Sequence, residues 1–203
     1  MAVADHQSAG RGRLGRTWES AAGSSLLMSV LLRPDLPPDR LHLVTAAVAL
    51  SGADAVADVA GFTPALKWPN DLLHDDRKLA GVLAEADLPA VVVGIGINLN
   101  WDGPVPNDGV AANQVAGRRV DRGDVLDALL AHLGRRVQAW PAVASEFRRR
   151  CATLGRVVRV DLPDETFTGT AADVSDEGHL LVDVGTCLRT VAAGDVVHLR
   201  ATD

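Results

Sequence analysis

The sequence predicts an α+β fold, a mixed sheet with helices followed by a small β-barrel, on three observations. Apolar runs at 26–32 and 91–98 have the length and continuity of buried strands, and helical spacing recurs at 39–59 and after Asp121. After Cys151 the pattern changes to short strands separated by turns. With 203 residues, 47% of them hydrophobic, the chain has enough apolar surface for one sizeable core and a small appended unit. The expected division is 1–150 and 151–203.

Residues 2–5 read as the end of a strand whose beginning is missing. Residues 7–25, rich in Gly, Ser and Arg, read as a long loop. The run 26–32 suits a buried strand. Pro34, Pro37 and Pro38 punctuate the next stretch, and Asp39 is placed to cap a helix running to about Val59. Residues 65–68 are a short strand stopped by Pro69, and Asp75-Asp76 is a hairpin turn between 72–73 and 78–85. Residues 91–98 are a strand carrying Gly94 and Gly96, and 101–117 read as loop. Asp121 caps a second helix, whose Val125, Leu129, Leu133 and Val137 follow at i+4 spacing. Trp140-Pro141 marks a bend before a basic helix to Arg150. The strands expected at 157–162, 167–174, 180–184 and 196–199 have the spacing of a small closed barrel.

Composition excludes several functions. A net charge of −6 is a poor match for general nucleic-acid or membrane-surface binding. No apolar run of about 18 residues is apparent, and the first residues lack the basic and apolar regions of a signal peptide. Cys151 and Cys187 form no close pair, which fits reduced thiols in a cytoplasmic protein. Six histidines are scattered without metal-ligand spacing.

Against that acidic background, residues 7–18 hold Arg11, Arg13 and Arg16 and no acid. Arginines interleaved with Gly10, Gly12 and Gly15 let the backbone approach a ligand while guanidinium groups grip a phosphate or carboxylate. Like charges and mobile glycines make a free loop of this kind costly to order, and closure over an anion offsets that cost. Gly10, Gly15, Arg16 and Thr17 nearly spell a P-loop, but arginine replaces its lysine and 19–25 is a poor helix start. Gly94-Ile95-Gly96 lacks the third glycine and following helix of a dinucleotide fingerprint, and instead fits a strand closely approached by a flat ligand. Lys67, at a strand end between Leu66 and Trp68, is either a snorkelling edge residue or a desolvated cation awaiting an anion. Asn70 and Asp71 follow directly; Asp71 is placed to support a metal ion, orient an amine or form an Asx turn. Trp18 covers a core edge or stacks on a base, and Gly81 clears space beside a ligand or marks a bulge.

Four segments together resemble biotin–protein ligases in order and spacing. They are Ala4-Asp5-His6-Gln7-Ser8-Ala9-Gly10-Arg11-Gly12-Arg13-Leu14-Gly15-Arg16-Thr17-Trp18, then Lys67-Trp68-Pro69-Asn70-Asp71-Leu72, then Arg77-Lys78-Leu79-Ala80-Gly81-Val82-Leu83-Ala84-Glu85, then Gly94-Ile95-Gly96-Ile97-Asn98-Leu99-Asn100. The first two are the most specific, and the tail from Val157 to Leu199 looks like the family's small SH3-like barrel. The resemblance implies a class II synthetase-like catalytic domain that joins biotin to ATP, with Mg2+, as biotinyl-5′-AMP. The biotinyl group then passes to a lysine of a biotin carboxyl carrier domain of an acyl-CoA carboxylase. It implies that Arg11 and Arg13 contact the biotin carboxylate and phosphate, that Lys67 sits at the reacting oxygens, and that Gln7 lines the biotin pocket with Gly10, Gly12, Gly81, Gly94 and Gly96. Arg16 and Trp18 would serve the nucleotide, Asn98 the adenine edge, and Asn70 and Asp71 the phosphate, metal and acceptor lysine. No nucleic acid or membrane is implied, and the assembly is expected to be a monomer or homodimer.

Two features of the family are not found in this sequence. One is a Ser-Thr-Asn segment upstream of the arginine loop; the other is an N-terminal helix-turn-helix. The expectations are a non-regulatory enzyme read from an internal start, weak or no biotin activation, and an incompletely covered core. The rival readings are a lipoate ligase or octanoyl transferase relative, a non-catalytic vitamin-binding module, and an RNA binder using Arg-Gly repeats.

Overall fold

A computed structural model describes residues 1–199. Its first sheet has six strands: β1 (Ala2–Ala4), β2 (Ser25–Leu32), β3 (Ala65–Lys67), β4 (Asp71–His74), β5 (Arg77–Asp87) and β6 (Ala90–Asn98). They are ordered β1-β2-β6-β5-β4-β3. Every ladder in it is antiparallel. The mixed character expected from sequence is therefore confined, among the described residues, to a single parallel bridge between Leu66 and Cys151. Hairpins with short turns dictate this: Asp75 and Asp76 take positive φ (48° and 60°), the left-handed pair that a two-residue turn requires between β4 and β5.

Helix α1 (His42–Ala60) lies on one face of the sheet, with Leu43, Val44, Val48, Leu50 and Val56 buried. The stretch Pro38–Ala60 is long and apolar enough to cross a membrane, contrary to the reading of the sequence, but 72% of its apolar window is buried inside the fold. Asp39 does not cap α1; it sits in a preceding 3-10 turn, Pro38–Arg40, and Leu41 is the N-cap without a side-chain bond. Gly52 marks the closest approach of helix to sheet, since a Cβ there would lie 2.8 Å from the Ile95 side chain. A short helix, α2 (Ala112–Ala116), interrupts the loop expected at 101–117. Helix α3 (Arg122–Arg136) begins as expected, with the Asp124 amide donating to the Asp121 carboxylate at 3.0 Å. Helix α4 (Trp140–Arg150) carries Pro141 in its first turn, so the proline starts the helix rather than bending it. Arg136 of α3 ties Asp54 of α1 to Glu146 of α4.

The C-terminal sheet holds β7 (Val157–Asp161), β8 (Thr166–Val174), β9 (Leu180–Asp183), β10 (Leu188–Val191) and β11 (Asp195–His198), ordered β10-β9-β8-β7-β11. The expected barrel is not closed by hydrogen bonds. Among the described residues no ladder joins β10 to β11, which lie at opposite edges of the sheet although only a three-residue turn separates them in sequence. Strand β10 carried no sequence signal strong enough to be predicted, being four residues long with exposed Leu188 and only Val191 fully buried.

Candidate active site

The face of the first sheet opposite α1 is built from small residues. Strand alternation sends Val91, Val93, Ile95 and Ile97 into the core and leaves Gly94, Gly96 and Asn98 on the other side. Register places Gly81 opposite Gly96, and Leu83 opposite Gly94. This floor lies under a cavity of about 790 Å3, a volume suited to a small-molecule ligand. The arginine loop forms its roof. The loop closes on itself through an Arg11–Thr17 bridge, a Gly12 amide bond to the Arg16 carbonyl at 2.7 Å, and a Trp18 amide bond to the Gly10 carbonyl at 2.9 Å. Leu14 and Gly15 turn it with φ of 55° and 73°.

The loop carries three cations without an acid of its own, yet each finds an acceptor on another element. Arg11 pairs with Glu85 of β5 at 2.6 Å, both largely exposed. Arg13 donates to the Asn70 side-chain oxygen at 3.2 Å and to the Gly194 carbonyl at 2.7 Å. Burial lowers the Arg13 pKa from its ordinary value, with Asp195 and Asp71 opposing that shift. Arg16 grips Asp195 at the start of β11. That hydrogen bond is the principal cause holding the Asp195 carboxyl below the usual carboxylate range, helped by the charges of Arg16, Lys67 and Arg13.

Of the residues singled out from sequence, Gln7, Arg11, Gly12, Arg13, Arg16, Trp18, Asn70, Asp71, Gly81, Gly94, Gly96 and Asn98 all line this one cavity. Three placements differ from expectation. Lys67 is not among the lining residues; its charge acts instead on Asp195 and His198, at the junction with the C-terminal sheet. Register nevertheless puts Lys67 on the cavity face of the sheet, since it pairs with Asp71, which pairs with Gly81, and Gly81 with Gly96. It stands one strand beyond the lining, and a second cation comes from the next hairpin arm. Lys78 lines the cavity, 2.7 Å from Asp71 Oδ1 and 5.8 Å from the centre of the Trp18 ring. Gly10 lies at the base of the loop rather than on the cavity wall, where a Cβ would collide with the Trp18 carbonyl. Asn98 is 3% exposed, and its amide donates to the Val110 carbonyl at 3.3 Å, so it braces the floor rather than offering an edge to adenine.

The glycines also have a nearer neighbour than a ligand. A Cβ on Gly96 would lie 2.6 Å from Trp18 Cε2, and one on Gly81 would lie 3.4 Å from its Cζ3. The flat group on this strand is therefore the Trp18 indole, whose buried Nε1 has no partner within the protein. Gly94 meets only ordinary contacts, to Ser29 and backbone, and leaves open floor beside the indole. Sequence reasoning gave no role to Lys78, Glu85 or Asp195. Lys78 was legible in the Arg77–Glu85 segment, but Asp195 lies 179 residues from its partner Arg16 and no local pattern marks it.

A glycine-floored cavity roofed by cations defines a ligand-binding enzyme centre, and the sequence comparisons give its class as ligase. The sequence profile of the Biotin/lipoate A/B protein ligase family matches residues 1–102, that of the Biotin protein ligase C terminal domain matches residues 153–199, and the chain belongs to this family. The chain is similar to the Biotin--[acetyl-CoA-carboxylase] ligase of Mycobacterium tuberculosis, at 40% identity over 98% of this chain and 78% of that protein. It is 30% identical to the Bifunctional ligase/repressor BirA of Bacillus subtilis, over 97% of this chain and 65% of that protein. Among solved structures, the biotin protein ligase from Aquifex aeolicus in complex with biotin and ATP matches with a TM-score of 0.86 at 28% identity, covering 98% of this chain and 88% of that one.

Proposed function

We propose that this chain activates biotin with ATP, forming biotinyl-5′-AMP and pyrophosphate, and then transfers the biotinyl group to a lysine of a biotin carboxyl carrier domain. The observation that carries this reading is the meeting of Arg11, Arg13, Arg16 and Lys78 on one glycine-floored cavity. A carboxylate and an α-phosphate repel each other. Fixed cations that bind the pentavalent transition state more strongly than either reactant lower the barrier to joining them.

In this reading residues 1–150 bind both substrates. Gln7 and the floor of Gly81 and Gly94 receive biotin, with Leu83 beside them. Arg13 is the loop cation aimed inward, and Lys67, on the sheet face of Asp71 and Gly81, joins Lys78 in supplying the ammonium groups at the reacting oxygens. Trp18, with its free indole N–H, serves the nucleotide together with Arg16. Asp71 orients Lys78 at 2.7 Å, and is placed to accept a proton from an incoming lysine amine. Mg2+ arriving with the triphosphate would neutralise phosphate charge. The donors here fit that role, since Mg2+ commonly takes one or two carboxylates and keeps its waters, and Asp71, whose Oδ1 meets Lys78, would offer its other oxygen beside Asn70. The roofing loop keeps water off the mixed anhydride.

Biotin-dependent exchange of radiolabelled pyrophosphate into ATP tests the first step. Exchange supported by biotin and not by lipoate is expected. Exchange supported by lipoate alone would reassign the chain to the lipoate branch of the family, and exchange with neither would remove the adenylating activity.

A further inference from the structure

The turn Lys67–Asp71 supplies Asn70, which holds Arg13, and Asp71, which holds Lys78. On the β5 side the turn is held by the Val82 amide donating to the Asn70 carbonyl at 2.9 Å and the Asn70 side-chain amide donating to the Val82 carbonyl at 2.7 Å. At Trp68 its hold comes from the C-terminal part of the chain. The Trp68 backbone amide donates to Thr153 Oγ1 at 3.0 Å, and the Trp68 indole N–H donates to the Gly178 carbonyl at 2.9 Å. Thr153, in the connection from α4 to β7, is fully buried, and its hydroxyl lies 3.0 Å from His198 Nε2 on β11. The Ala152 amide adds a bond to the Leu66 carbonyl at 2.8 Å.

We propose that Thr153 and His198 are positioning residues for the adenylation reaction, forming a hydrogen-bond relay that fixes the Trp68 amide and, through it, Asn70 and Asp71. The direction of the relay follows from donor counting. Thr153 Oγ1 accepts from Trp68, so its own proton is free to go to His198 Nε2, which accepts only in the neutral imidazole. The surroundings keep the ring neutral. Burial first, then the positive charges of Lys67 and Arg156, lowers the His198 pKa to about 4, and Asp76 opposes them. A valine would fill the Thr153 site equally well, so a hydroxyl buried there is explained by its two bonds rather than by packing. The relay reaches back from Thr153 to Trp68, 85 residues upstream, beside Asn70 and Asp71 of the cavity wall.

The activity arm of the test rests on the ligase reading above; the exchange arm does not. Thr153→Val should lower kcat for biotin-dependent pyrophosphate exchange by about tenfold while KM for biotin and ATP moves by less than about twofold, because the fault is in placement rather than binding. Thr153→Ser and His198→Gln, which keep the hydroxyl and an acceptor, should restore kcat. Amide hydrogen exchange at Trp68 should be faster in Thr153→Val and normal in Thr153→Ser. Equal losses in the serine and valine variants, matched changes in kcat and KM, or unaltered exchange at Trp68 would each overturn the relay. If the unmodified protein adenylates nothing, the ligase reading fails and exchange at Trp68 alone decides the relay.

Discussion

The arginine loop and the paired strands β5 and β6 enclose the same cavity, but different forces hold them. The strands are joined by a continuous ladder from Ala80↔Ile97 to Asp87↔Ala90, with their opposite side chains buried under α1. The loop is held by side chains, chiefly Arg11–Glu85 to β5 and Arg16–Asp195 to β11, whose arginines are 68% and 61% exposed. Exposed pairs of this kind contribute ~0.2–1 kcal/mol each and weaken with salt. The floor is therefore a fixed template, and the roof is a closure that can release. A ligase that makes a water-sensitive anhydride and then hands it to a protein needs both.

The largest expected effect is on the floor. Lys78→Ala should lower the rate of adenylate formation by about a hundredfold or more, with little change in ATP affinity, if its charge is felt mainly in the transition state. Lys67→Ala should lower it by a comparable factor, since Lys67 shares a sheet face with Asp71 and its charge acts on Asp195, which lines the cavity. Single-turnover kinetics of both variants would show whether both lysines carry the chemistry.

The contrast between these two lysines shows how far the sequence could be read. Glycines on alternating positions of an apolar strand, and arginines spaced by glycines, are local patterns, and they located the floor and the roof. The capping Asp121, the Asp75-Asp76 hairpin and helix α1 were legible for the same reason. That Lys78 also reaches the cavity depends instead on the register of β4 against β5, which contains an irregularity between Leu72 and Leu73 beside the Leu73↔Lys78 pair. Nothing in the Lys67–Asp71 segment alone could supply that. Asp195 and Thr153 are further from reach, because their partners Arg16 and Trp68 meet them only after the C-terminal sheet has docked. The barrel was over-read on spacing alone, which counts strands but cannot say whether the edge strands pair.

A smaller effect belongs to the roof. Asp195→Asn should leave adenylation nearly intact and speed release of the adenylate by up to about fivefold, the size expected for losing one exposed ion pair. Because Arg16 depresses the Asp195 pKa, this contribution is complete above the ordinary carboxylate range and is lost as pH falls through and below it. Adenylate retention in the unmodified protein should therefore be flat through neutrality and fall only in acid below about pH 4, whereas the Asn variant should show no such acid step. Fluorescence of a labelled adenylate analogue, followed across that range, would measure it.

The central claim is tested most directly by a crystal structure with a non-hydrolysable biotinyl-5′-AMP analogue. The account predicts the linking phosphate or its mimic within about 3 Å of Lys78 Nζ and the Arg13 guanidinium, with the biotin ring over Gly94 and the loop closed above it. A linker held outside the cavity, with Lys78 and Arg13 turned away from it, would contradict it.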